Sequence, residues 1–168
     1  MTMRFAALLA LTCAGALGGC ASSPAAPDAP AKVNIAFSYR PDANGGAPLK
    51  IRLFMLRASS DFASADFYSL QNRASLLLGE NLLDSNVFFL TRQTPRSVTA
   101  SVPPVGTRYV GIMAEYQTID RKVWRKLLTL PAARPRPFYR VWQSDENELK
   151  VSVVAGKEGL TLSQSSND

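Results

Sequence analysis

The stretch Tyr-Val-Gly-Ile-Met-Ala-Glu-Tyr, residues 109–116, decides the fold of this chain. It is nearly continuous in apolar and small residues, which is typical of a strand that is covered on both faces. Residues 87–91 and 97–102 before it, and residues 123–130 and 149–154 after it, are predicted as further short strands separated by turn-forming residues. We therefore expect residues 109–116 to be the central strand of a β-sheet.

Two segments nearer the N-terminus alternate apolar and polar side chains. Residues 33–39 and 49–55 both show this period of two, which is typical of half-buried strands. Residues 40–48 between them are rich in Pro, Gly, Asn and Asp and form a loop longer and more flexible than a hairpin requires. Loops that are longer than the connection between two strands requires commonly carry binding function. We expect that removing residues 43–47 would abolish partner binding and leave the melting temperature nearly unchanged.

Residues 59–79 break the alternation and predict one or two short helices. Ser60 or Asp61 can cap a helix, Phe67 and Leu70 share a helical face, and Gly79 is a stop signal. Short strands with turns between them, plus this insertion, predict an all-β fold with a small helical addition. The fold class is an antiparallel β-sandwich of about seven to eight strands. A closed barrel is the alternative, because the number of strands does not decide closure.

The N-terminus has the layout of a secretory signal peptide. Arg4 supplies a positive charge, and residues 5–17 form an apolar run in which Thr12 is the only polar member. This run is shorter than the roughly 20 residues that a membrane-spanning helix needs. The alternatives are a plain secretory signal or a buried helix, but a cytoplasmic helix would need a polar face that residues 5–17 lack.

The apolar run is followed by Leu-Gly-Gly-Cys, which ends at Cys20 and resembles the bacterial lipobox. In such a motif the cysteine is acylated on sulfur and becomes the mature N-terminus. Ala21 stands where an aspartate would retain an enteric lipoprotein at the inner membrane. We therefore expect a lipid-anchored protein at the periplasmic face of the outer membrane.

The expected domain organisation follows from these signals. Residues 1–19 form the signal peptide, and residues 20–32 form the acylated cysteine and a flexible Pro/Ala-rich tether that reaches roughly 37 Å in polyproline conformation. The sandwich occupies residues 33–156, with its helical insertion at about 59–79. Residues 157–168 are expected to be a loose polar tail.

Two residue types needed by most extracytoplasmic enzymes are missing from the mature chain. Cys13 leaves with the signal and Cys20 would be acylated, so no free thiol remains for a disulfide, a zinc site or a nucleophile. The sequence also contains no histidine, which removes the commonest general base and nearly all transition-metal sites. We predict a protein that is not an enzyme and holds no cofactor or metal.

The positive charge is concentrated in one segment. In a cytoplasmic protein such a cluster beside Trp124, Tyr139 and Trp142 would indicate nucleic-acid binding, which the export signal argues against. Anionic headgroups, peptidoglycan or an acidic partner are functional alternatives, and a solvated sheet face is the structural interpretation that we favour. The segment contains no acid and seven bases: Arg121, Lys122, Arg125, Lys126, Arg134, Arg136 and Arg140.

An ordered series of segments resembles the type VI secretion lipoprotein family TssJ (VasD/Lip). The stretch 108–116 with the following Ile119-Asp120 and Trp124-Arg125 is similar to the family's most recognisable region. The resemblance runs from the lipobox to about residue 154, covering essentially the whole chain in one order. The remaining matching segments are Leu49–Leu56, Asp61-Phe62, Ala65–Phe67, Leu77–Gly79 and Leu82-Leu83.

The resemblance implies a transthyretin-like β-sandwich held at the outer membrane through Cys20. It also implies a structural function, which is binding to the periplasmic C-terminal region of the inner-membrane protein TssM, in an envelope-spanning complex that also contains TssL. In the family, the loop between the first two strands is associated with TssM binding. By position, this carries over to Arg40, Pro41, Asp42, Ala43, Asn44, Gly45, Gly46, Ala47 and Pro48.

An enzyme is the first rival function. It would need a site, and the candidate acids are Glu115 with Asp120, or the Asp145, Glu146 and Glu148 group that is typical of a solvated turn. For Glu115 we favour a structural ion pair with Arg108 or Arg125. Trp124 and Trp142 are interpreted as packing residues.

The second rival is a lipoprotein that carries a lipid or small hydrophobic ligand. This function predicts an internal cavity. A protein-binding adaptor instead predicts a filled core and a protruding loop. The family resemblance favours the adaptor.

Overall fold

The structure, a computed structural model, describes residues 32–93, 96–100, 105–131 and 148–164. The helices are α1 (Ser60–Ser64) and α2 (Phe67–Leu78), and short 3-10 turns lie at Ala43–Gly46 and Gly79–Asn81. The strands of the described residues are β1 (Lys32–Tyr39), β2 (Leu49–Leu56), β3 (Leu82–Leu90), β4 (Arg96–Ala100), β5 (Tyr109–Glu115), β6 (Arg125–Thr129), β7 (Glu148–Gly156) and β8 (Gly159–Gln164).

Two four-stranded sheets make up the described part of the domain, in the orders β4-β1-β7-β8 and β3-β2-β5-β6. The predicted all-β sandwich with a small helical addition is confirmed, and β5 is an interior strand whose residues 110–114 are buried. One pairing departs from the antiparallel prediction. β1 and β7 run parallel, with Ile35 opposite Val151. Both strands begin at the end of the sandwich where β6 ends.

The space between the sheets is filled by the inward-facing side chains of both. Ile35, Leu53, Ile112 and Val153 are each at most 1% exposed. Phe37 of one sheet meets Phe88 of the other edge to face, with ring centroids 5.1 Å apart. The apolar positions of the period-two pattern are therefore the ones whose side chains face this core.

A second core lies on the outer face of the β3-β2-β5-β6 sheet, where the two helices cover it. Phe54 of β2 packs against Phe62 and the buried face of α2. Gly111 permits this close approach, because a Cβ at that position would lie 2.8 Å from the Phe62 ring. Trp124 packs edge to face against Phe67 at 5.2 Å, which confirms its interpretation as a packing residue.

α2 begins and ends at recognisable signals. The carboxylate of Asp66 accepts a hydrogen bond from the Ser69 backbone N–H at 2.9 Å, and its hydrogen bonds with Ser69 hold the pKa of this carboxyl below its ordinary value. Gly79 follows the helix with φ +48°, so the predicted stop is confirmed. No helix in the described part of the chain is both long and apolar enough to span a membrane.

Glu115 is held by partners other than the expected ones. Its carboxylate lies 3.2 Å from both Lys50 Nζ and Arg52 Nη2 and accepts a hydrogen bond of 2.9 Å from Gln71 Nε2. The expected pairing with Arg108 or Arg125 is wrong. Lys50 lies directly opposite Glu115 in the β2–β5 register, so the two side chains share the outer sheet face.

Arg125 hydrogen-bonds to backbone carbonyls and does not form the expected ion pair with Glu115. Its Nη1 donates to the carbonyls of Phe62 at 3.0 Å and Ala65 at 2.6 Å, where α1 ends. Together with the hydrogen bond from Arg52 Nη1 to the Leu70 carbonyl, these contacts fasten the helices to the sheet. The polar groups of this outer face are therefore structural.

Replacing Glu115 with alanine should lower the free energy of unfolding by about 2 kcal/mol. The substitution leaves two partly buried cations without their carboxylate, which is a costly change, although Lys50 can still reach water. Glu115→Gln keeps the shape and is the matched control, with an expected loss of about half that size. Urea unfolding measures both, and equal stability of wild type and Glu115→Ala would show that the cluster does not fasten α2.

The predicted loose tail at residues 157–168 is wrong for its first part. Gly159–Gln164 is strand β8, which pairs antiparallel with β7 and places Val153 opposite Leu162. Leu160 is fully buried, so the short alternation of apolar and polar residues marked a strand after all. Residues 165–168 lie outside the described residues.

Other expectations also fall on residues outside the described ranges. These are the signal peptide, Cys20 and nearly all of the tether, together with the turn at residues 144–147 and the aromatic and basic side chains of residues 134–142.

Candidate functional site

Four connections meet at one end of the sandwich, which we call the loop end. They join β1 to β2, β3 to β4, β5 to β6 and β7 to β8, as the pairs Leu49–Leu90 and Lys50–Glu115 and the hairpin pair Gly156–Gly159 show. Lys32 lies at the opposite end, which we call the tether end. The predicted connection at residues 40–48 is therefore at the loop end, but it crosses from one sheet to the other and does not close a hairpin.

The tyrosine that ends β1 holds the loop of residues 40–48 from beneath. The Tyr39 hydroxyl lies within hydrogen-bonding distance of the Ala43 carbonyl and 2.8 Å from the Ala47 carbonyl, and its single proton is donated to one of them at a time. Burial raises the pKa of Tyr39 above its ordinary value, against an opposing effect of Arg92. The phenol is a donor at neutral pH, as an unperturbed tyrosine also would be.

Asn44 is the polar residue that fixes the loop to its neighbour. It is 6% exposed and has φ +46°. Its Nδ2 donates to the Pro48 carbonyl at 3.0 Å, and its Oδ1 accepts from the Gln117 backbone N–H at 2.8 Å. The loop and the β5–β6 turn are therefore joined into one surface through a buried side chain.

The expected deletion of residues 43–47 does not fit this arrangement. Ala43 is fully buried and Asn44 nearly so, so their removal would open the end of the core. The loop is also less flexible than its composition predicts, because Tyr39 and Asn44 satisfy its carbonyls from within. The sequence signal for Asn44 was the Asn-Gly-Gly run, since Asn and Gly readily adopt positive φ.

Six of the nine residues of the predicted partner-binding loop face solvent: Arg40, Pro41, Asp42, Gly45, Gly46 and Pro48. Ala47 is half-buried. A partner would therefore meet one cation, one anion and the backbone of two glycines. Arg92 borders this surface, donating from Nη2 to the Pro41 carbonyl at 3.2 Å.

The β5–β6 turn is locked to the β7–β8 hairpin. The Val123 N–H donates to the Glu158 carbonyl at 3.0 Å, and the Leu160 N–H donates to the Val123 carbonyl at 2.7 Å. Lys122 lies over the Tyr116 ring at 5.2 Å and donates to the Lys157 carbonyl. Burial raises the pKa of the Tyr116 phenol above its ordinary value.

The basic residues that the sequence analysis treated as one segment therefore lie in different parts of the structure. Arg121 and Lys122 lie at the loop end, whereas Arg125 fastens the helices on the outer sheet face. Sequence reasoning treated these residues as one cluster. It missed the Asn44–Gln117 link, which pairs residues 73 positions apart and has no local signal.

Replacing Asn44 with alanine should destabilise the fold by about 2 kcal/mol, because the Gln117 N–H and the Pro48 carbonyl lose their buried partner and alanine disfavours positive φ. Asn44→Gly is the matched control, since glycine accepts the backbone geometry and loses only the side chain. It should lose about 1 kcal/mol. Thermal unfolding with amide exchange at Gln117 measures both effects; an unchanged exchange rate at Gln117 in Asn44→Ala would contradict this role.

Comparison with known proteins gives a consistent result. Residues 28–156 match the family model described as type VI secretion lipoprotein, VasD, EvfM, TssJ. The chain is 40% identical to Lip of Serratia marcescens, a membrane-bound component of the type VI secretion system, with TM-score 0.70 over 82% of this chain and 99% of that one. No curated protein matches the sequence significantly.

Two further solved structures share the fold. The lipoprotein TssJ1 of Pseudomonas aeruginosa is 25% identical, with TM-score 0.69 over 83% of this chain and 99% of that one. A chain in the structure described as the TssM C-terminal domain from EAEC is 20% identical, with TM-score 0.55 over 78% of this chain and 99% of that chain. At that identity the second likeness concerns the fold alone.

Proposed function

Because the chain belongs to the family of type VI secretion lipoproteins that includes VasD, EvfM and TssJ, we propose that it is a structural anchor of the type VI secretion membrane complex. It is held by acylated Cys20 at the periplasmic face of the outer membrane. Its loop end binds the periplasmic C-terminal region of a TssM-type inner-membrane protein, in a complex that also contains a TssL-type component. Its function is binding, not catalysis.

The observation that carries this proposal is the placement of the loop at the opposite end of β1 from the tether. β1 runs from Lys32 to Tyr39, and eight residues of strand span about 26 Å. A partner that approaches from the inner membrane therefore meets residues 40–48 at the end of the domain that lies away from the anchored N-terminus.

The internal bonding of the loop supports the same function. Tyr39 and Asn44 fix the backbone, while Pro41 and Pro48 restrict the loop near its two ends. A loop that is already ordered loses little conformational freedom when a partner binds, so more of the contact energy appears as affinity.

A ligand-carrying lipoprotein is the alternative. It needs an interior with room for a hydrophobic molecule. The buried side chains of both sheets, with Leu53, Ile112 and Val153 fully buried between them, favour the adaptor.

A pull-down of the tagged, acylated protein from gently solubilised envelopes tests the proposal. We expect mass spectrometry to identify a large inner-membrane protein among the captured partners. Co-purification of lipids or small molecules alone would favour the carrier and contradict the adaptor function. Cys20→Ser, which lacks the acylation site, is the control for capture through membrane fragments.

A further inference from the structure

The tether end carries the most exposed apolar side chains of the described residues. Val105, in the turn before β5, is 96% exposed, and Leu76, in the last turn of α2, is 80% exposed. Leu77 beside it is 38% exposed. Single exposed apolar residues are common on protein surfaces, but these three lie towards the same end of the sandwich.

Two sets of contacts place these segments next to each other. A Cβ at Gly106 would lie 3.8 Å from Arg57 Nε and 4.0 Å from Leu83 Cδ1. The Arg57 N–H donates to the Asn81 carbonyl at 2.9 Å. The turn that holds Val105 therefore borders the chain that leaves α2.

Two exposed arginines lie at the same end. Arg57 and Arg108 are exposed, and within the described residues neither side chain makes an ion pair or hydrogen bond. Glu80 and Asp84 are exposed there as well, so the end is mixed in charge. The two arginines flank the turn of Val105, which gives an apolar tip bordered by cations. Such a surface matches a bilayer interface, where apolar side chains enter the headgroup boundary and arginines meet phosphate groups.

The position of the anchor identifies the occupant. Residue 32 lies at this end, because β1 begins there, and β4 ends beside it with Ala100 opposite Val33. Cys20 precedes Lys32 by 12 positions, a chain that spans at most about 40 Å when fully extended. A tether of this length gives an effective concentration on the order of millimolar, so even a surface of weak intrinsic affinity is occupied for much of the time.

We propose that the tether end is a membrane-contact surface. Val105 and Leu76 enter the interfacial region of the phospholipid leaflet, and Arg57 and Arg108 contact its phosphates. The inference rests on the acyl anchor of the proposed function, but it does not depend on partner binding. Contact at this end holds the domain upright on the membrane, and the loop end then points away from the lipid surface.

An environment-sensitive fluorophore placed at each end of the domain tests this orientation. The sequence has two cysteines, Cys13 in the signal and Cys20 at the acylation site, so an introduced cysteine is the only free thiol of the acylated chain. Val105→Cys reports the tether end, and Gln93→Cys, exposed at the loop end, is the matched control. The acylated full mature chain is added to vesicles of phosphatidylethanolamine with phosphatidylglycerol.

We expect the protein to sediment with the vesicles, with a blue shift and protection from aqueous iodide at position 105 and neither change at position 93. Adding Arg57→Glu and Arg108→Glu should reduce the blue shift at position 105. Sedimentation without a shift at position 105, or with equal shifts at both positions, would overturn the contact surface and leave the anchor standing. A protein that does not sediment would overturn the anchor, and this inference with it.

Discussion

Replacing Gly159 with alanine is expected to lower the free energy of unfolding by about 4 kcal/mol. Gly159 has φ +116°, and a Cβ there would lie 2.4 Å from the Val123 backbone nitrogen. Backbone strain of this kind costs about 1–3 kcal/mol, and overpacking adds a similar amount. The clash is with backbone atoms, so no side-chain rotation relieves it. The expected result is separation of the β5–β6 turn from β8.

Gly46→Ala is the matched control for this prediction. Gly46 also has positive φ, at +83°, but a Cβ added there would meet no atom within 4 Å. Its replacement should therefore cost only the backbone strain, about 1 kcal/mol. Urea unfolding compares the two variants. Equal losses would show that the contact between Gly159 and Val123 is not tight, and that the two sheets are not joined there as described.

Cys20→Ser is expected to release nearly all of the protein from the membrane fraction while leaving its export intact. Burial of acyl chains contributes about 0.8 kcal/mol per CH₂, and anchoring by more than one chain is stable. A serine lacks the sulfur to which the lipid is attached, so the variant cannot be anchored through residue 20.

Fractionation of spheroplasts with immunoblotting measures the effect of Cys20→Ser. Cys13→Ser is the control, because residue 13 lies within the predicted signal and should leave with it, so that variant should stay with the membrane. Recovery of Cys20→Ser in the membrane fraction at the wild-type level would mean that the protein is retained by other means.

Local pattern predicted most of the fold. Residues 109–116 were expected to be a central strand because they are nearly continuous in apolar and small residues, and β5 is an interior strand. The helices were predicted because the period of two is absent from residues 59–79 and because Gly79 is a stop signal. β8 was missed because its alternation is brief and lies next to a polar C-terminus. The parallel pairing of β1 with β7 joins segments far apart in sequence, and no local pattern specifies it.

The position of the β1–β2 connection was predicted correctly, but its internal contacts were not. The Pro- and Gly-rich composition of residues 40–48 marked a long connection, and the family resemblance assigned it to partner binding. Composition could not show that Asn44 is buried, because the partner of its side chain is the Gln117 backbone. For the same reason the partners of Glu115 were missed. Charge and apolar context predicted an ion pair, whereas strand register selects Lys50 and Arg52.

We propose that the exposed loop residues bind the periplasmic C-terminal region of the TssM-type partner. The most direct test is calorimetric titration of that region with a variant in which Arg40→Glu and Asp42→Lys exchange the two exposed charges. Arg73→Glu with Glu80→Lys, at exposed positions on α2 and the turn after it, is the control with the same net charge. We predict at least about tenfold weaker binding for the loop variant, or about 1.4 kcal/mol, with unchanged melting temperature and unchanged binding by the control. Wild-type affinity in the loop variant would contradict the account.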